Sequence, residues 1–106
     1  MRRKPKYTIE EIRQRITPIA KRYGVKRVSL FGSYARNEAC AKSDVDLLID
    51  DPDKKLLEGF FRWGGLYSDL QDALKSKIDL VMTTELDDDK LSKRILKDEV
   101  LLYERA

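Results

Sequence analysis

A chain of 106 residues, 42% of them hydrophobic, fits one compact domain with a core, which excludes a chain disordered throughout. It has one cysteine and no histidine, so it cannot form an internal disulfide and lacks the imidazole base of a catalytic triad, and a Cys/His zinc site is disfavoured. Residues 1–36 carry 11 Lys or Arg against 2 Asp or Glu. This basic first third can attract phosphate, although solvated helix faces and a ragged terminus explain it equally well.

No apolar stretch approaches the roughly 20 residues of a membrane-spanning helix, and no apolar signal core follows the basic start. We therefore expect one domain over residues 1–106, with residues 1–7 flexible, in a cytoplasmic protein without a membrane partner. Since so small a core buries only part of its chain, we also expect a homo- or hetero-oligomer.

The first predicted element is a helix that begins at Thr8. Thr8 and Glu11 match a capping box, and apolar residues follow at helical spacing up to Gly24, a residue type that commonly ends helices. Pro18 lies inside this run, so we expect a kink or a break there.

Four short runs of β-forming residues predict strands, the last of them at a sheet edge. The helix predicted between the second and third strands contains three glycines, which either allow close packing or divide it. The predicted strands are 25–31, 45–49, 77–82 and 100–103, and the later helices are 56–74 and 91–97. The alternation predicts an α/β (α+β) fold with a small mixed β-sheet flanked by helices.

Two short patterns carry candidate chemistry. Gly32 and Ser33 follow the first strand, where glycine lets the backbone approach a phosphate and the serine hydroxyl adds a hydrogen bond, although Gly-Ser is also a common turn pair. Asp44 and Asp46 lie two apart at the start of the second strand, so their side chains share one face. A divalent cation would relieve their repulsion; the alternative is a solvated loop-to-strand junction.

Asp79 lies in the otherwise apolar third strand, where a buried carboxylate without a partner is costly. If this strand lies beside the second one, Asp79 faces the same cation as Asp44 and Asp46. Three carboxylates beside a phosphate-binding turn are what two-metal nucleotidyl transfer requires. In a chain without histidine, Asp79 is also the natural general base.

Gly32-Ser33, ten further residues and then Asp44-Val45-Asp46 resemble the Gly-Ser-x10-Asp-x-Asp signature of the polymerase-β-like nucleotidyltransferase superfamily. Together with the sequence around Asp79, they are similar to the motifs of its minimal members, the MNT domains. The resemblance covers residues from about 8 to 104 and implies the nucleotidyltransferase fold.

The resemblance also implies roles for these residues. Asp44 and Asp46 would ligate two Mg²⁺ ions, Asp79 would ligate one and orient the acceptor, and Gly32 with Ser33 would bind the triphosphate of ATP. Arg36 matches an arginine frequent in the family and could neutralise phosphate, with a surface salt bridge as the equal alternative. Asn37 stands where the family usually has glycine, and because Asn tolerates positive φ we expect the turn to survive.

Members this short lack the second domain with which larger relatives, such as aminoglycoside nucleotidyltransferases, hold their acceptor. Minimal members are typically paired with a small helical HEPN-domain toxin. The implied function is therefore that of a protein adenylyltransferase antitoxin, which moves AMP from ATP to a tyrosine of the toxin.

Two other functions stay open. A catalytically silent subunit could neutralise a partner by contact alone, although it would not need three mutually repelling carboxylates. A nucleotidyltransferase acting on RNA or a small molecule is suggested only by the basic first third, without an aromatic–basic RNA-binding pattern, so nucleic acid is the least favoured partner. A neighbouring reading frame for a small helical protein with an Arg-x4-6-His motif would favour the antitoxin.

Overall fold

A computed structural model describes residues 6–50, 60–82 and 97–105. Within these ranges helices and strands alternate, which confirms the predicted α/β (α+β) fold. In chain order the elements are α1 (Ile9–Tyr23), β1 (Arg27–Phe31), α2 (Gly32–Ala35), β2 (Val45–Asp50), α3 (Phe60–Leu74), β3 (Ile78–Met82) and β4 (Val100–Glu104). The predicted helical segment before residue 60, and the helix predicted at 91–97 apart from Lys97, lie outside the described residues. None of the described helices could span a membrane.

Helix α1 begins as its sequence predicts. The Glu11 amide donates to Oγ1 of Thr8 at 3.1 Å, and the Thr8 amide donates to Oε1 of Glu11 at 3.0 Å, which completes the capping box. Gly24 ends the helix in the left-handed conformation, with φ of 70°. Of the kink or break expected at Pro18, the break does not occur, because the helix runs unbroken through this residue. Pro18 is exposed, and the buried residues around it hold α1 against the core.

The four strands form one mixed sheet in the order β3-β2-β1-β4. Strand β1 pairs antiparallel with both β2 and β4, whereas β2 and β3 are parallel. Parallel neighbours need a crossover connection, and the chain between β2 and β3 contains α3. The predicted edge position of the last strand is confirmed.

One face of the sheet forms the core with α1 and α3. The alternate residues Val45, Leu47 and Ile49 of β2 are almost completely inaccessible to solvent and belong to the same buried cluster as Ile12 of α1 and Leu70 of α3. Since side chains alternate along a strand, Asp46 lies on the opposite face.

Helices α1 and α3 pack closely at Gly65. A Cβ atom added there would lie 2.7 Å from the Tyr23 hydroxyl, which donates to Oδ2 of Asp69 at 2.7 Å. Gly64 faces open space, and α3 continues through both glycines. Of the two interpretations of these glycines, close packing therefore holds for Gly65.

Side chains of the basic first third fix the ends of several elements. Within the stretch predicted to be flexible, Tyr7 is buried and its hydroxyl donates to the Leu74 carbonyl at 2.6 Å. Arg13 of α1 donates from Nε to the Leu102 carbonyl at 3.2 Å and from Nη2 to the Leu101 carbonyl at 3.1 Å. Two main-chain acceptors of the edge strand β4 are thus bound by α1.

Candidate active site

The sheet register brings the predicted site residues to one end of the sheet. Phe31, the last residue of β1, pairs with Asp46, which in turn is the register partner of Asp79 on β3. Gly32 therefore follows β1 directly beside Asp46. Because register partners of adjacent strands point to the same face, the side chains of Asp46 and Asp79 lie side by side on the face opposite α1 and α3. The second and third strands are neighbours in the sheet, as the predicted position of Asp79 requires.

The carboxylates influence one another electrostatically. The pKa of Asp46 is raised from 3.8 to about 6, chiefly because burial penalises its charge, and then because the Asp79 and Asp44 carboxylates repel that charge. Arg36 acts in the opposite direction and lowers it. Asp44 and Asp79 are exposed, whereas Asp46 is half-buried. The structure thus places Asp46 beside Asp79, with Asp44 and Arg36 close enough to act on the charge of Asp46.

Gly32 occupies a position that only glycine fits. Its φ is +73°, and a Cβ atom built on it would lie 2.1 Å from Oδ2 of Asp46. The first value disfavours any residue with a side chain, and the second leaves no room for a methyl group unless Asp46 moves. The backbone at Gly32 is therefore in direct contact with the half-buried carboxylate.

Residues 32–38, called the Gly32 turn below, are closed by main-chain hydrogen bonds. The Arg36 amide donates to the Gly32 carbonyl at 3.0 Å, and the Glu38 amide donates to the Ser33 carbonyl at 2.8 Å. Asn37 adopts a φ of 59°, so the turn keeps its left-handed residue without glycine, as predicted. Ser33 lies half-buried at the start of α2.

Arg36 forms ion pairs as well as lying near Asp46. Its Nε lies 3.2 Å from Oε2 of Glu38, and its Nη1 lies 3.6 Å from Oδ2 of Asp98. The Glu38 carboxylate is the main reason why the pKa of Arg36 is raised. The salt-bridge alternative is thus realised, but at the edge of the site. Sequence reasoning missed Asp98 because its approach depends on the pairing of β4 with β1, for which the sequence carries no local signal.

The donor set suits a hard divalent cation in kind. Asp44, Asp46 and Asp79 offer oxygen ligands, and a cation would offset the repulsion that the Asp79 and Asp44 carboxylates add to the effect of burial on Asp46. Within residues 6–50, 60–82 and 97–105, however, no three acidic or cysteine side chains are grouped tightly enough to hold a metal ion.

Comparison with known proteins agrees with this fold. Residues 14–106 match the family described as polymerase beta, nucleotidyltransferase. The chain belongs to this family, as its motifs predict, and it is a nucleotidyltransferase.

Relatives with assigned names indicate which kind of nucleotidyltransferase this chain is similar to. A candidate protein adenylyltransferase of Methanocaldococcus jannaschii, MJ0435, is 40% identical over 92 residues, which cover 87% of this chain and 95% of the relative. The protein adenylyltransferase MntA of Thermococcus cleftensis is 35% identical over 97 residues, covering 88% of this chain and 94% of the relative.

Solved structures share the fold. A candidate minimal nucleotidyltransferase matches with a TM-score of 0.71 at 26% identity, covering 90% of this chain and 96% of the other. A chain in the complex of a tri-AMPylated Shewanella oneidensis HEPN toxin with an MNT antitoxin matches with a TM-score of 0.66 at 19% identity, covering 92% and 73%. The predicted resemblance to minimal nucleotidyltransferases is confirmed.

Proposed function

We propose that this chain is a protein adenylyltransferase that moves AMP from ATP to a tyrosine hydroxyl of a HEPN-family partner and so acts as an antitoxin. The observation that carries the proposal is the convergence of Asp46 and Asp79 beside the Gly32 turn. Relatives named as protein adenylyltransferases, matched over nearly their whole length, support AMP as the group transferred and a protein as the acceptor.

In the proposed reaction the acceptor oxygen bonds to the α-phosphorus of ATP, the bond between the α- and β-phosphates breaks, and pyrophosphate leaves. Asp44, Asp46 and Asp79 would hold two Mg²⁺ ions, which when bound neutralise the triphosphate and acidify the acceptor hydroxyl. Asp79, an exposed carboxylate and the register partner of Asp46, would take the hydroxyl proton on its carboxylate.

The Gly32 turn would bind the triphosphate. Gly32 lets the backbone approach closely, Ser33 offers a hydroxyl donor, and Arg36 brings a positive charge to the same end of the sheet. The matched relatives are themselves short, since 92 aligned residues cover 95% of one of them. An acceptor recognised on a second protein therefore fits the size of the chain.

The basic first third gives little support to the RNA-directed alternative. Among its residues that the structure describes, several basic side chains form hydrogen bonds or ion pairs: Lys6 with the Lys75 carbonyl, Arg13 with β4, Arg15 with the Ala73 carbonyl and Arg27 with Asp50 and Glu104. These basic side chains therefore have partners at the ends of helices and strands, so their number does not require a nucleic-acid phosphate backbone as a partner.

The test is transfer of label to a HEPN protein encoded beside this chain. With Mg²⁺, label from ATP carrying ³²P at the α-phosphate should appear on the partner, whereas label at the γ-phosphate should not. Asp46→Asn and Asp79→Asn should each abolish transfer, and Asp72→Asn, an exposed carboxylate of α3, should retain it. Replacing the partner's tyrosines one at a time with phenylalanine should identify the acceptor.

Neutralisation by contact alone predicts a different pattern. An Asp44→Asn chain would then suppress the partner's toxicity as well as the wild type does, although it transfers no AMP. Absence of label on the partner, with an active control enzyme alongside, would exclude the proposed reaction.

A further inference from the structure

We propose that Asp98 is a positioning residue for the transfer reaction, which holds the Arg36 guanidinium at the Gly32 turn so that it meets the triphosphate. The inference rests on the proposed function, because it assigns Arg36 a nucleotide to bind. It assigns a role to the C-terminal segment, which the sequence motifs leave outside the site.

The sheet register explains why Asp98 reaches the site. Val100, the first residue of β4, pairs with Leu30 of β1. Because the two strands run antiparallel, residues before Val100 extend past the end of β1, where the Gly32 turn begins. Asp98 thereby places Oδ2 at 3.6 Å from Nη1 of Arg36, with its side chain 23% exposed.

The two acidic partners of Arg36 differ in what they can fix. Glu38 lies two residues further along the same turn and its side chain is 55% exposed, so its ion pair with Arg36 joins two residues of that turn. Asp98 is attached to β4, whose position is set by pairing with β1. Of the two contacts, only the one with Asp98 ties the guanidinium to the sheet.

The guanidinium held in this way lies near the reacting groups. Arg36 belongs to the Gly32 turn, since its amide donates to the Gly32 carbonyl at 3.0 Å, and Gly32 contacts the half-buried carboxylate of Asp46. Arginine has several donors, so the ion pairs of Nε with Glu38 and of Nη1 with Asp98 leave the Nη2 donors to point at a phosphate. A long side chain restrained before the nucleotide arrives has less freedom to lose on binding.

The experiment compares Asp98→Asn with Glu104→Gln in the complete chain, using Mg·ATP and the partner protein. Glu104, the last residue of β4, is a matched control because it is likewise an acidic residue that forms an ion pair with an arginine, Arg27, at 3.3 Å. Among the described contacts, Glu104 has none with the Gly32 turn. We expect Asp98→Asn to raise the KM for Mg·ATP by about fivefold or more with kcat within about twofold, and Glu104→Gln to change neither. Thermal unfolding of both variants separates this effect from loss of fold.

Two further variants test whether Asp98 acts through Arg36. Asp98→Glu keeps the charge and should restore KM to within about twofold of the wild type. Arg36→Gln should raise KM, and adding Asp98→Asn to it should raise KM no further, since coupled residues are not additive. Additive effects, or a KM that falls when Asp98 is replaced, would overturn the assignment.

Binding of a non-hydrolysable ATP analogue with Mg²⁺, measured by calorimetry, separates this inference from the proposed function. If the wild-type chain binds the analogue and Asp98→Asn binds it equally well, only the role of Asp98 is overturned. If the wild-type chain binds none, the proposed function is overturned together with it.

Discussion

Gly24 and Gly32 share a backbone conformation but differ in their surroundings. Their φ values are +70° and +73°, so a side chain at either position is strained. An added Cβ atom meets nothing within 4 Å at Gly24, whereas at Gly32 it meets the carboxylate of Asp46. The pair therefore separates the cost of the backbone conformation from the cost of displacing a site residue.

We predict that Gly32→Ala lowers transfer activity by at least about tenfold, because a shift of about 1 Å in a reacting group is enough for such a loss. Gly24→Ala should retain activity and lose only about 1–2 kcal/mol of unfolding free energy from the left-handed backbone. Activity assays and urea unfolding of both variants make the comparison. Equal activity of the two would show that the contact with Asp46 does not matter.

The pKa of Asp46 predicts how stability depends on pH without metal. Its value is raised from 3.8 to about 6 in the folded chain, so between these values the folded chain keeps a proton that the unfolded chain has lost. The stability contributed by this proton is fully present below about pH 4 and is lost as the pH rises through about 6.

Asp46→Asn, which mimics the protonated side chain, should therefore match the wild type at pH 4 and exceed it at pH 8. The expected gain is about 1–2 kcal/mol, after allowance for the partial exposure of the site. Urea unfolding in a chelator measures it, with Asp72→Asn as the control. A gain that is the same at both pH values would contradict the assigned cause.

At the scale of elements, α3 offers a second matched pair. Gly64→Ala should stabilise the chain by about 1 kcal/mol, because alanine is the better helix former and nothing surrounds the new methyl group. Gly65→Ala should lose this gain, because its methyl group would press on the Tyr23 hydroxyl and its hydrogen bond to Asp69. Thermal unfolding compares the two.

In a Tyr23→Phe background the obstructing hydroxyl is gone, and Gly65→Ala should become as favourable as Gly64→Ala. If Gly65→Ala remains unfavourable there, the contact between α1 and α3 is not the reason for glycine.

Several elements could be predicted because their signals are local. The capping box at Thr8, the stop at Gly24 and the alternating strand around Asp46 depend on near neighbours in the sequence, and the structure confirms them. A break at Pro18 does not occur, because burial of the neighbouring helix face outweighs the local effect of proline.

For the whole molecule, the strand order could not be read from local pattern. The prediction for Asp79 depended on the second and third strands being neighbours, and the motif resemblance, not periodicity, made that arrangement credible. No motif indicates the position of Asp98, which follows only from the antiparallel pairing of β4 with β1. Pairing between strands that are far apart in the sequence could therefore not be predicted from local residue patterns.

Arg13 bears on how this molecule can associate with others. An edge strand normally has unpaired main-chain N–H and C=O groups that can pair with a strand of another chain. On β4 the Leu101 and Leu102 carbonyls already accept hydrogen bonds from Arg13. A strand from a second chain could pair with these carbonyls only by displacing the Arg13 guanidinium. Self-association by addition of a strand to β4 is therefore opposed.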